Sequence, residues 1–244
     1  MSAPDVFPLP PLAFTARPRP LRAAGAASAW LGFAASLLRA WPGRLALSGL
    51  PTTLALFLAA VGPSLPWRLG FLALACGLLA VPLLAVRRAA QLAAPGAAEL
   101  GSLFDFGNPA NGRALAGTLL WSGLFALSGW LLSLPFGAGH FVAPRLAVFA
   151  LAALCLLMLD WLLLCAFALF LRLTLCHAQP LTEALFAALA AVAKNLPAFL
   201  ALGVWLAIAA FLLLPTTLGL GLLLWLPLLA GALHAACRDI FLTT

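Results

Sequence analysis

Residues 198–236 run for 39 positions without one charged side chain. As a single helix they would extend about 58 Å, taking ~1.5 Å per residue. That is nearly twice the ~30 Å hydrocarbon core of a bilayer, so the run has to fold back on itself. Pro215-Thr216-Thr217-Leu218-Gly219 is the break in its middle. This predicts two adjacent spans, 197–214 and 218–236, with Pro227 kinking the second.

The remainder of the chain is of the same kind. It is 65% apolar and 8% charged, whereas soluble domains run near ~45–50% and ~25%. A soluble fold of this sequence lacks the charge to cover its surface, which points to a polytopic membrane protein. The formal charge of +7 is scattered along the chain and gathers in no stripe, so it is no nucleic-acid footprint. The five cysteines form no CxxC pair, which argues against a zinc site or a disulfide framework.

Taken in order, residues 1–24 are a proline-rich tail without an apolar core, expected to be a disordered or extended cytoplasmic segment and not a signal peptide. Residues 25–244 form the membrane domain. Residues 27–39 read as a helix lying in the membrane interface, with Trp30, Phe33, Leu37 and Leu38 on one face and Ser28, Gly32, Ser36 and Arg39 on another. Trp41-Pro42 breaks it. Spans follow at 43–61 and 67–86, joined by a Pro/Gly turn. Residues 89–112 are the longest polar interlude and carry Glu99 and Asp105. A central hairpin, 114–171, holds spans at 114–134 and 146–171. Residues 181–194 read as a second interfacial helix, and Lys194-Asn195-Leu196-Pro197 introduces the last two spans.

The expected fold is therefore all-α, a bundle of six transmembrane helices with two interfacial amphipathic helices. Threading follows from the basic residues. With the N-terminus inside, Arg17, Arg19, Arg22, Arg39, Arg44, Arg87, Arg88, Arg113, Arg172, Lys194 and Arg238 face the cytoplasm, against Arg68 and Arg145 outside. This places both termini in the cytoplasm. The units 27–92 and 181–241 share one order of features. Arg39-Ala40-Trp41-Pro42 mirrors Lys194-Asn195-Leu196-Pro197, and Pro82-Leu83-Leu84-Ala85 mirrors Pro227-Leu228-Leu229-Ala230. This reads as an internal parallel repeat.

These residues also carry a family resemblance. Trp30-x-x-Phe33, the Arg39-x-x-Pro42 break, Glu183-Ala184-Leu185 before Lys194-Asn195-x-Pro197, and the closing Arg238-Asp239-Ile240-Phe241 resemble an uncharacterised group of proteobacterial multi-spanning membrane proteins. The resemblance covers residues 30–241. Cys237 stands where the group usually has an aromatic before the Arg-Asp pair. A looser similarity is to the membrane domain fused to some glycerophosphodiester phosphodiesterases, without the enzymatic domain. The resemblance implies a six-span protein of the bacterial inner membrane and no established activity.

Candidate site residues are few. Asp160 is the one acidic residue in the middle of a predicted span, where a carboxylate costs roughly 2.5–3.5 kcal/mol on insertion scales. Two readings compete: a proton or cation site, or an acid hydrogen-bonded to Ser122, Ser128 or a backbone carbonyl that holds helices together. His234 lies near the inner end of the last span, so Asp160, His234, Ser122 and Ser128 form the possible intramembrane polar site. No GxSxG, HExxH or P-loop pattern occurs, and no catalytic, metal or cofactor residues are expected. Trp30, Trp41, Trp67 and Trp130 are expected near interfaces, and Trp121, Trp161, Trp205 and Trp225 between helices.

The first functional expectation is a non-enzymatic scaffold or accessory membrane protein, whose partners are membrane lipids and other membrane proteins. The alternative is a small-molecule or ion transporter using Asp160. A lipid-modifying enzyme is the weakest reading, since no acid–base constellation is visible.

Overall fold

Proline and glycine punctuate a chain that otherwise strongly favours helix, and the helices begin and end where they stand. The structure, a computed structural model, describes residues 13–14, 18–21, 25–91, 109–137, 143–177, 179–217 and 219–243. Among these are nine helices and one two-residue β pairing: α1 Ala26–Ala40, α2 Pro42–Val61, α3 Leu65–Leu78, α4 Ala80–Gln91, α5 Pro109–Gly137, α6 Ala143–His177, α7 Leu181–Lys194, α8 Leu196–Thr216 and α9 Leu222–Phe241. Five helical stretches are long and apolar enough to cross a membrane: Pro42–Val61, Gly70–Arg87, Ala150–Leu175, Leu196–Leu213 and Leu222–Phe241. The protein is an all-α, multi-pass membrane bundle. The polar interlude around Glu99 and Asp105, together with His140 and the side chain of Trp130, lies outside the described residues.

Helix α9 is the axis of the bundle. It packs against α1, α2, α4, α6 and α8, and its side chains from Leu229 to Cys237 are all buried. The C-terminal half of α6 joins it, with Cys165 to Leu171 buried throughout. The preceding half of α6 is different: Leu151, Leu154, Leu157, Met158 and Leu159 are exposed, as side chains facing lipid are.

The amphipathic pattern of α1 serves this axis. Trp30 is 1% exposed, packs near Phe199 and donates its indole N–H to Asp239 Oδ2 at 3.0 Å. Gly231 on α9 lets α1 come close, since a Cβ there would lie 2.8 Å from that of Ala34. Trp30 is therefore a core residue, its ring covered by protein. The apolar stripe of α1 is covered by protein.

The second span is present as Gly70–Arg87, with an interruption inside it. Pro82 supplies no N–H, and its ring crowds the carbonyl of Leu78, so the helix breaks at Leu79 into α3 and α4. The break redirects the chain: α3 packs on α2 and α5, whereas α4 packs on α9, α2 and α6. The last span is one helix to Phe241 with Pro227 inside it. Trp205 is 54% exposed and does not pack between helices.

The tail is tied down where it is described. Ala13 and Phe14 pair antiparallel with Thr243 and Leu242. The Arg19 N–H donates to the Ile240 carbonyl at 3.1 Å. Asn195, 3% exposed, accepts from the Leu21 N–H at 2.7 Å and donates to the carbonyls of Arg19 and Ala191. The Lys194 ammonium donates to the Pro18 carbonyl. These stretches are held against the start of α8 and the end of α9.

Candidate functional site

Helical hydroxyls in apolar surroundings commonly satisfy themselves by bonding a carbonyl three or four residues back. Ser48, Thr118, Ser122 and Thr174 all do so, to Leu45, Ala114, Leu119 and Phe170. Two buried hydroxyls depart from this rule. The Ser128 Oγ reaches across from α5 to α6 and donates to Asp160 Oδ2 at 2.7 Å. Thr52, 2% exposed on α2, has no partner for its Oγ1.

Both exceptions belong to one place. A cavity of about 310 Å³ lies among α2, α3, α5, α6 and α9, and Thr52 and Asp160 both line it. Its remaining walls are apolar or aromatic, among them Leu56, Leu72, Phe125, Leu164, Phe167 and Trp225, with the free thiol of Cys76. Asp160 Oδ1 is buried without a partner. Asp160 sits where α6 passes from its exposed half to its buried half, so the carboxyl marks the end of the tightly packed core.

Two nearby indoles tie helices together. The Trp161 indole donates to the Phe199 carbonyl at 2.8 Å, tying α6 to α8. Gly203 makes room for that ring, since a Cβ there would meet Trp161 Nε1 at 2.6 Å. The Trp225 indole donates to the Leu206 carbonyl at 2.9 Å, tying α9 to α8.

A second polar cluster stands farther along α6. Arg172 Nη1 donates to the His234 carbonyl, and Nη2 lies 3.5 Å from His234 Nε2. The His234 ring stacks on Phe33 at 5.8 Å between centroids. Arg172 Nε and His234 Nδ1 are buried and unpartnered. Arg87 and Arg172 line one small cleft with Leu83, Leu84, Leu171 and Leu175. At the end of α6, burial and then the charges of Arg172 and Arg87 push His177 down from about 6.5 to about 4.

The predicted site residues therefore divide. The structure brings Ser128 to Asp160. It leaves Ser122 bonded within α5 and places His234 with Arg172, which is twelve residues beyond Asp160 on α6, about 18 Å at ~1.5 Å per residue. The sequence pointed to Arg172 for threading and to Asn195 for the break before α8, but not to Thr52. The Thr52-Thr53 pair beside Pro51 was the available signal for Thr52. Among the described residues, no three His, Cys, Asp or Glu side chains converge as metal ligands would. No protein-family model, curated protein or solved structure matches the chain.

Proposed function

We propose that this chain is a non-enzymatic scaffold or accessory protein of the bacterial inner membrane, with six spans and both termini in the cytoplasm. The observation that carries this reading is how the buried polar groups are used. Trp30, Trp161, Trp225, Arg172 and Asn195 all bond across from one element to another, so hydrogen-bonding capacity goes into holding the bundle together. The six-span count draws support from the β pairing of residues 13–14 with 242–243, since termini that meet at one end of a bundle fit an even number of crossings. Adding α5 to the five apolar spans makes six. The resemblance to proteobacterial multi-spanning proteins points the same way, as does the basic asymmetry along the chain.

Complementation tests the non-enzymatic part. A variant carrying Glu99→Gln, Asp105→Asn and His234→Gln should accumulate normally and restore whatever a deletion strain loses. Normal accumulation without restoration would contradict the reading. Single-cysteine labelling on a Cys-free background tests the threading. Positions 64 and 137 should react with an impermeant outer reagent and positions 108 and 177 should not.

The cavity at Asp160 is the one observation favouring a carrier. Its described walls offer only Thr52 and Asp160 as hydroxyl or charged partners, whereas a transport path usually needs more buried polarity.

A further inference from the structure

The cavity among α2, α3, α5, α6 and α9 has the size and wall chemistry of a ligand site. Its ~310 Å³ falls at the small end of ordinary pockets, which run from ~300 to ~1,000 Å³. Such pockets are mostly apolar, with a few polar groups that fix orientation. Here two of the lining residues, Asp160 and Thr52, each carry a buried polar atom with its hydrogen-bonding capacity unused.

One is Asp160 Oδ1. The other carboxyl oxygen already accepts from Ser128, so Oδ1 needs a donor. No basic side chain lines the cavity among the described residues, and Arg172 is about 18 Å along the helix at ~1.5 Å per residue. The second atom is Thr52 Oγ1, in a side chain 2% exposed that forgoes the carbonyl bond its neighbour Thr53 makes to Gly49. A buried polar atom left unpaired is costly, so an occupant that pairs it gains driving force.

The donor set decides the class of occupant. A hard metal cation takes about six or more oxygen ligands, and the walls offer one carboxylate and one hydroxyl. An organic ammonium brings its own N–H donors and an apolar body that can fill the Leu- and Phe-lined space. Phe125, Phe167 and Trp225 add ring faces, which attract organic cations. An alcohol can hydrogen-bond Oδ1 but brings no positive charge to the carboxyl group.

We infer that this cavity binds an amphiphilic amine, its ammonium on Asp160 Oδ1 and its hydrocarbon body among the apolar walls, with Thr52 as second polar contact. The inference goes beyond the accessory reading and stands if that reading falls.

The probe is a medium-chain alkyl primary amine carrying a diazirine, added to the full-length protein in zwitterionic lipid nanodiscs, with crosslinked peptides mapped by mass spectrometry. Labelling should saturate, concentrate on peptides of α3, α6 and α9 that line the cavity, and be competed by unlabelled decylamine. Decanol and decane should compete at least tenfold less well. Asp160→Asn should weaken labelling by tenfold or more and Thr52→Val by two- to fivefold. Leu164→Trp, which keeps the carboxyl and fills the space, should block it and serves as the second arm if the Asn variant fails to fold. Equal competition by decanol or decane would reduce the cavity to a non-selective apolar void and overturn the proposal. So would labelling spread evenly over lipid-facing helices, or binding unchanged in both Asp160→Asn and Leu164→Trp.

Discussion

The first four helices and the last three follow one plan and come out differently. Each unit opens with a short helix, α1 or α7. A break follows at Trp41 or Asn195, then a proline in the first turn of a long helix, α2 or α8. Each closes with a helix bearing an internal proline motif. Yet the stretch Gly70–Arg87 is 28% buried and broken at Leu79, whereas Leu222–Phe241 is 67% buried and continuous. The short helices diverge too: α1 packs along α9, while α7 packs along α6. The short motif Pro-Leu-Leu-Ala, at Pro82 and at Pro227, thus has two outcomes, in different packing environments. Pro227 leaves the Leu223 carbonyl without its helical partner, and that carbonyl is pressed against Gly49 of α2, where a Cβ would lie 3.2 Å away. Around Pro82 the helix is interrupted at Leu79, and α4 packs against α9.

If α9 is the enclosed member of the two, substitutions that add bulk should be costly there and cheap on its counterpart. Gly231→Val should lower stability by about 3 kcal/mol, because Ala34 is already at contact. Gly70→Ala on α3, with nothing near its Cα, should change stability by less than ~0.5 kcal/mol. Thermal unfolding in detergent checks both. Equal effects would dissolve the contrast.

Asn195 is the next largest. Its mirror position in the first unit is Ala40, which is exposed. Asn195→Ala removes three hydrogen bonds and should cost about 2 kcal/mol. Hydrogen exchange at the Arg19 and Leu21 amides should accelerate, while Ala40→Ser should leave both unchanged. Gly49→Ala is a finer probe of the proline notch. Its new methyl meets backbone at 3.2 Å and should cost about 1 kcal/mol.

The smallest expected effect is one of pH. Burial, Arg172 and Arg87 hold His177 near 4, below its ordinary value of about 6.5. As pH falls the unfolded chain takes up this proton first, near 6.5, and the folded chain only near 4. Stability from the neutral ring is therefore fully present above about 6.5 and is lost as pH falls through about 4. His177→Gln should flatten that part of the stability profile. An unchanged slope would remove His177 from the account.

The sequence made the membrane class legible because hydropathy and length need no tertiary information. The breaks at Trp41, Asn195 and the turn before Leu222 were legible for the same reason, since proline and glycine act locally. The stripe on α1 was visible, but not what covers it. Lipid and a buried helix demand the same apolar face, and nothing in Trp30 or Phe33 distinguishes them. Asp160 stood out as a lone acid in a span. Its partner Ser128 was one of several serines at plausible depth, and Thr52 looked like any helical threonine until its hydroxyl was found without a carbonyl. Which polar side chains converge depends on helix rotation, which composition does not encode. Hence His234 went with Arg172 and not with Asp160.

The claim on which the rest depends is that α1 lies against α9 inside the protein. Ala34→Cys with Gly231→Cys, on a Cys-free background, tests it in membranes. The two Cβ positions are close enough for a disulfide after a small shift, since bridged Cβ atoms sit ~3.5–4.5 Å apart. The account predicts rapid, near-complete crosslinking under mild oxidant, with none for Gly32→Cys paired with Gly231→Cys on the exposed side of α1. No crosslink in the Ala34→Cys, Gly231→Cys pair, together with modification of the thiol at position 34 by a lipid-phase reagent, would return α1 to the membrane surface and contradict the account.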